Sequence, residues 1–427
     1  MSATVDERRA VTSLGRRFHT QLASTGLANL ADGILATLAP LVALSLTNSP
    51  AQVSLLTAAA WLPWLLLGVA VGVVIDRVDR RRVQVVALGA RAAVLGCGAL
   101  LAHLGQLNML TLLALTLVYG ITEVFADLGA TSIIPDLVES ERLPAANGRL
   151  IGVQQVANAF LGSPLAGVLI VLGAGIGFGV SASLAALAAV ILMVGLRGNY
   201  RRVAAGGPKR PLAQVREGLA FLVQHPMMRP MVISSSLLNL ANSAYFAVFV
   251  LWAVGPTSAI GLSPAHYPLL TLGLAVGAVA GSLVTDWLQA RAGEVRTMIA
   301  AFTSSVVLML VPVLWPNPWA VAVVFALLGV TSTIGNVLSQ SLRQRIVPGE
   351  MLGRIGGASR TLSYGLMPLG ALLGGLVAEQ FGLAVTFYAA VGLSLGTCCY
   401  LSLAVRSVTI VPWVQRAERT AENAHSG

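Results

Sequence analysis

The chain has 427 residues, 56% of them apolar and only 10% charged, where an average soluble domain carries about 25% charged residues. Apolar content this high along the whole length leaves no polar shell to wrap a core. It excludes a soluble domain, and 44 glycines without a G-X-Y period exclude a collagen-like chain. The class that remains is an all-α protein crossing a membrane many times. The net charge of +10 sits in short basic clusters between apolar blocks, which is how membrane proteins are oriented and gives no nucleic-acid partner.

Residues 1–19 carry Arg8, Arg9, Arg16 and Arg17 and read as a cytoplasmic N-terminus. The apolar block behind them is too long for the core of a cleavable signal. A hydrocarbon layer of about 30 Å takes about 20 apolar residues per helix. Twelve such blocks follow, near 20–46, 52–75, 83–104, 107–134, 147–172 and 174–196, then near 230–255, 266–289, 297–315, 318–342, 353–379 and 383–405. The connections at 47–51, 105–106, 173, 256–265, 316–317 and 380–382 hold no Lys or Arg. The alternate connections hold Arg77, Arg80, Arg81 and Arg82, then Arg142 and Arg149, Arg291 and Arg296, and Arg343, Arg345 and Arg354. The alternation never breaks, so the positive-inside rule predicts that both termini and every basic loop are cytoplasmic.

The longest polar interruption, 197–229, contains Gly206-Gly207-Pro208-Lys209-Arg210-Pro211 and then a short stretch with Leu212, Val215, Leu219 and Leu222 on one helical face. It reads as a cytoplasmic linker with an amphipathic helix. It separates an N-terminal six-helix bundle (20–196) from a C-terminal one (230–405), and 406–427 reads as a cytoplasmic tail. The halves look like weak repeats: Asp76 closes the second block and Asp286 the eighth, while Ile134-Pro135-Asp136-Leu137 and Val347-Pro348-Gly349-Glu350 occupy corresponding loops. Repeated halves are how transporters place a site between two bundles. Cys97, Cys398 and Cys399 all fall inside apolar blocks and read as small hydrophobes, so no metal site is expected.

Ionisable residues inside the hydrocarbon are candidate functional groups, because each is costly unless paired or wetted. Asp32 lies about 18 Å along the first helix at 1.5 Å per residue. Glu123 lies in the middle of the fourth helix, with Asp127 one turn on and on the same face. Arg91, on the third helix, is the expected partner of Asp127. A structural ion pair or snorkelling explains any one of them equally well; as a set they suit proton coupling, Asp32 first and Glu123 second. Asn239, Asn242, Tyr245 and Phe246 on the seventh helix are candidate substrate contacts, with interhelical hydrogen bonding as the alternative.

The loop after the second helix reads Gly72-Val-Val-Ile-Asp76-Arg77-Val-Asp79-Arg80-Arg81, which resembles the loop signature of the major facilitator superfamily. Asp79 replaces the second glycine of that pattern, and Asp tolerates the left-handed conformation a glycine would adopt there. The resemblance implies two pseudo-symmetric six-helix bundles and a cytoplasmic latch made by Gly72, Asp76, Arg77, Arg80 and Arg81. The fifth helix, with Gly152, Gly162, Pro164 and Gly167, is similar to the antiporter signature of the superfamily, although Ser163 intervenes and Val168 replaces the last glycine. Arg216-Glu217-Gly218-Leu219-Ala220-Phe221-Leu222 with His225-Pro226, and Arg345-Ile-Val-Pro348-Gly-Glu350-Met-Leu-Gly353-Arg354, are similar to the drug and siderophore exporters of macrolide and enterobactin type.

These observations lead to a monomeric, multi-pass plasma-membrane transporter without a cofactor, driven by the proton gradient, that exports an amphipathic small molecule by alternating access. Uptake by the same fold is one alternative. An integral-membrane transferase, reading Asp76 with Asp79 and Glu123 with Asp127 as metal-binding pairs, is the other, although the crowd of arginines around the first pair opposes Mg²⁺.

Overall fold

The computed structural model describes residues 14–139, 142–201, 220, 222–346 and 362–406. Twelve helices within them are long and apolar enough to cross a membrane. They are α1 (Gly15–Leu46), α2 (Pro50–Arg77), α3 (Arg80–His103), α4 (Met109–Ser132), α5 (Ala145–Leu172) and α6 (Ala174–Gly195), then α7 (Met228–Ala253), α8 (Pro268–Ala292), α9 (Glu294–Leu314), α10 (Pro318–Ile346), α11 (Leu362–Phe381) and α12 (Leu383–Arg406). Every expected span has its helix. Residues 202–219, with most of the expected amphipathic helix, and residues 347–361, with the expected start of the eleventh span, lie outside the described residues.

Helix ends follow local chemistry. Asp79 caps α3 by accepting the backbone N–H of Arg81 at 3.0 Å and of Arg82 at 3.4 Å. Its φ of −67° is extended, which corrects the expectation of a left-handed turn: here Asp79 works as an N-cap. Asn108 and Thr111 form a reciprocal capping box at the start of α4. Gly173 (φ +117°) closes α5 and Gly382 (φ +91°) closes α11. These are the same junction of the two halves, and both need a backbone conformation that residues with a Cβ avoid.

The chain divides into two compact units, Met1–Val42 with Leu66–Ala205, and Ala43–Leu65 with Gly206–Gly427. The first half of α2 therefore groups with the later helices, not with the segment 20–196. The cause is local: Ser54 lies against Gly375, where a Cβ would fall 1.8 Å from its Oγ, and Glu379 accepts Ser49 Oγ at 2.8 Å and the Ala51 N–H at 3.2 Å.

In the first unit α3 packs on α4 and α6 around Leu88, Ile133, Leu192 and Leu196. In the second unit α8 and α10 touch backbone to backbone through Gly277, Gly281 and Gly329, and α7 meets α11 through Gly370 and Gly374. Small residues allow this approach where lipid offers no hydrophobic driving force between helices. The outward surface carries large apolar side chains such as Leu110, Leu283 and Val86, as lipid contact requires.

Candidate functional site

The first unit holds the buried charges. α1 is pressed onto α5 at Gly33: a Cβ there would lie 2.1 Å from the Asn158 carbonyl oxygen, and one on Gly162 would lie 2.8 Å from Gly33 Cα. On the α5 side the residues involved belong to a π-helical turn, Val156–Gly162, just before Ser163 and Pro164. Proline supplies no N–H and crowds the carbonyl four residues back, so the helix widens ahead of it. Thr37 and Ser163 share a hydrogen bond of 2.8 Å beside this contact.

Asp32 precedes Gly33 and faces α3 and α4. Arg91 Nη1 lies 2.5 Å from Asp32 Oδ1, the Tyr119 hydroxyl donates to the same oxygen, and the Arg91 guanidinium lies over the Tyr119 ring at 4.9 Å. Arg91 is 1% exposed. Tyr119, Glu123 and Asp127 recur every four residues on α4, so they form one stripe, and Glu123 and Asp127 are within electrostatic reach of Arg91. The expected pairing of Arg91 with Asp127 is corrected: the guanidinium pairs with Asp32 across the α1–α3 contact, while Asp127 Oδ1 accepts Gln154 Nε2 at 3.3 Å. A cavity of about 20 Å³, lined by Asn29, Asp32, Gln84, Arg91 and Asp127 among others, has room for one water between the carboxylates. Tyr119 was not singled out in the sequence. Its place one turn before Glu123 on the same face was the signal for its role.

The loop residues are engaged within the same unit. Arg80 pairs with Asp136 at 2.9 Å. Arg81 donates to the Met193 carbonyl at 2.6 Å and the Leu192 carbonyl at 3.4 Å, a cationic cap on the end of α6. Arg77 is exposed and Gly72 is helical; the Asp76 side chain lies outside the described residues. Of the α5 glycines, Gly162 makes the contact with α1, Gly167 is buried, and Gly152 has open space around it.

The second unit holds a cavity of about 560 Å³ lined by α7–α12. Asn239, Asn242 and Phe246 line it. Tyr245 does not: its hydroxyl donates to the Met309 carbonyl at 2.9 Å, and its ring packs against Phe249 and Phe387 in the core. Ser234, Asn336, Gln340 and Ser363 also line the cavity and were not singled out in the sequence; Arg343, read there as a residue of a basic connection, lines it from the last turn of α10. Among the described residues no group of three or more His, Cys, Asp or Glu is placed to hold a metal ion.

Residues 18–422 match the family described as transmembrane secretion effector. The enterobactin exporter EntS of Citrobacter koseri is 28% identical over 379 residues, covering 84% of this chain and 85% of that one. The EntS of Escherichia coli O1:K1 is 28% identical over 362 residues, with 81% of each chain covered. Among solved structures, the nucleoside transporter NupG superposes with a TM-score of 0.75 at 12% identity, over 91% of this chain and 99% of that one. A bacterial homolog of the human lysosomal transporter Spinster gives 0.65 at 16% identity, over 92% and 96%. These two share the fold.

Proposed function

The chain belongs to the transmembrane secretion effector family of the major facilitator superfamily, and on that premise we propose that it is a proton-coupled exporter of a small amphipathic organic compound, working by alternating access. It is a multi-pass membrane transporter and not an enzyme, which removes the membrane transferase. The enterobactin exporters among its relatives favour export over uptake. The basic loops favour an orientation with both termini in the cytoplasm.

One observation carries the coupling: Asp32, Glu123 and Asp127 gather around a single guanidinium, Arg91. Arg91 and Tyr119 neutralise Asp32 in this state. Glu123 lies near the same guanidinium, and in a low-dielectric interior a proton is an available counter-charge for its carboxyl. Exchange of the Arg91 partner between Asp32 and the α4 carboxylates, as one of them gains or loses a proton, gives transport a step that responds to the pH gradient.

The test is efflux from proteoliposomes under an imposed pH gradient, with Asp32→Asn and Glu123→Gln beside the parent. Asp32→Asn is expected to lose gradient-driven export and, because it strands the buried Arg91 charge, to melt below the parent, so its export is read at a temperature where the purified variant stays folded. Parental export by that variant excludes Asp32 as the coupling group. Parental insensitivity to the gradient excludes proton coupling altogether.

A further inference from the structure

The first unit carries a groove of about 740 Å³ that the coupling argument does not use. It is lined by the end of α2, the first half of α3, the middle of α4 and the residues just past α6. Its character changes along its length. On α3 the lining passes from Arg82, in the first turn, through Val86 to Ala90, a run of about 12 Å at 1.5 Å per residue. That distance covers most of one leaflet of a hydrocarbon layer about 30 Å thick. Ile121 and Phe125, set back from the end of α4 at Ser132, continue the apolar part. Val74 and Val86 in the lining are exposed, so the groove opens toward lipid.

Arg77, Arg82 and Arg201 reach the groove from three separate elements, and all three are exposed. Asp79 is the carboxylate among the described lining residues, and its Oδ1 is committed to the cap of α3. Arg82 Nε lies 3.8 Å from Asp79 Oδ2 on a side chain that is 82% exposed, and so wet a contact holds a guanidinium weakly. The helix-end part of the groove is therefore positive and the rest is apolar. Guanidinium groups bind phosphate oxygens through paired N–H donors. A basic pocket beside an apolar wall fits a molecule with an anionic head and a long apolar tail.

We propose that this groove holds an anionic phospholipid, its phosphodiester against Arg77, Arg82 and Arg201 and an acyl chain along Val86, Ala90 and Phe125. The chain's own linker is a poor match for the place. Residues 202–219 carry Arg202, Lys209, Arg210 and Arg216 against Glu217, the same sign as the groove, and Leu222 beyond them is buried in the core of the second unit. The site uses none of the buried carboxylates, so it stands or falls apart from proton coupling.

The test is native mass spectrometry of the purified full-length chain in detergent. The chain is titrated with phosphatidylglycerol, with phosphatidylcholine of the same acyl chains, and with glycerophosphoglycerol, the headgroup without chains. Phosphatidylglycerol is expected to bind about tenfold or more tightly than phosphatidylcholine, and glycerophosphoglycerol to stay unbound where phosphatidylglycerol saturates. Arg82→Gln and Arg201→Gln are each expected to cost phosphatidylglycerol about fivefold in affinity and to leave phosphatidylcholine unchanged, while Arg82→Lys keeps most of the preference. Ala90→Phe, which fills the apolar part from an exposed position, is expected to weaken phosphatidylglycerol with every arginine intact. Arg149→Gln, an exposed arginine of the same unit outside the groove, is expected to bind as the parent does. All these positions are exposed, so thermal unfolding without lipid is expected to stay parental. Equal binding of the two lipids overturns the proposal. So does headgroup binding as tight as lipid binding, which describes a phosphate site instead. A loss in Arg149→Gln as large as in Arg82→Gln also overturns it, because diffuse surface charge then explains the preference.

Discussion

Gly33 of α1 and Asn158 of α5 meet backbone to backbone, so closely that a Cβ at position 33 would lie 2.1 Å from the Asn158 carbonyl oxygen and 2.8 Å from its Cα. The obstacle is main chain, which cannot rotate out of the way, and it belongs to the π-helical turn that Pro164 imposes on α5. Asp32 is the preceding residue, so the same contact sets how far its carboxylate projects toward Arg91.

Gly33→Ala is therefore expected to push α1 off α5, at a cost of about 1–3 kcal/mol as for other overpacked interiors, and to lower transport with it. Gly152→Ala, where a Cβ meets nothing within 4 Å, is the control and should match the parent. Thermal unfolding of the purified protein reads both. Equal melting of the two variants would show that the α1–α5 contact yields more easily than its geometry implies.

The ion pair of Arg91 and Asp32 gives a second expectation. Both groups are out of water, so removing one partner strands the other, a change that typically costs about 3–5 kcal/mol. Arg91→Gln is expected to be strongly destabilised. The double variant Arg91→Gln with Asp32→Asn should recover most of that loss, because neither member of the pair is left charged, yet stay inactive in gradient-driven export. Recovery of stability without activity separates the structural role of the pair from its role in coupling. Additive losses in the double variant would mean that the two side chains are not coupled.

Much of this was legible in the sequence for a physical reason. Helix number follows from apolar block length, and the loops follow from where arginines collect, so both survive without knowledge of packing. Asp32, Arg91, Glu123 and Asp127 stood out because ionisable groups are rare in hydrocarbon. Which of them pair was not legible, since that depends on how α1, α3 and α4 are rotated about their axes. Rotation is fixed by contacts such as Gly33 on Asn158, and a glycine among 44 carries no label for that role. The candidate substrate contacts divide the same way: Asn239, Asn242 and Phe246 share a face of α7 that borders the cavity, while Tyr245, next in sequence to Phe246, turns into the core.

Asp79 tests the loop. The superfamily pattern has glycine there, and the structure uses Asp79 as the N-cap of α3. Asp79→Ala is expected to cost about 1 kcal/mol, whereas Asp79→Gly, which restores the family residue, is expected to cost only a few tenths of that, because glycine is tolerated at N-caps. Thermal unfolding of the pair decides. A larger loss for glycine than for alanine would mean that the backbone restraint at residue 79 matters more than the cap.

His225 supplies a pH-dependent expectation outside the membrane spans. Its Nδ1 accepts the backbone N–H of Met227 at 3.2 Å and of Met228 at 3.3 Å, so the ring stands in for a polar cap at the start of α7. An imidazole protonated on Nδ1 cannot accept, and burial holds this one below the usual histidine range. The unfolded chain takes up its proton near pH 6.5, and the folded chain only at lower pH. The cap's contribution is thus complete above about pH 6.5 and declines as pH falls from there toward the lower folded value. His225→Asn keeps a side-chain acceptor that does not titrate in this range. Melting temperatures of parent and variant, compared from about pH 8 down to about pH 5, should converge or cross on acidification, the parent losing more. Parallel profiles would assign the acid sensitivity of α7 to other groups.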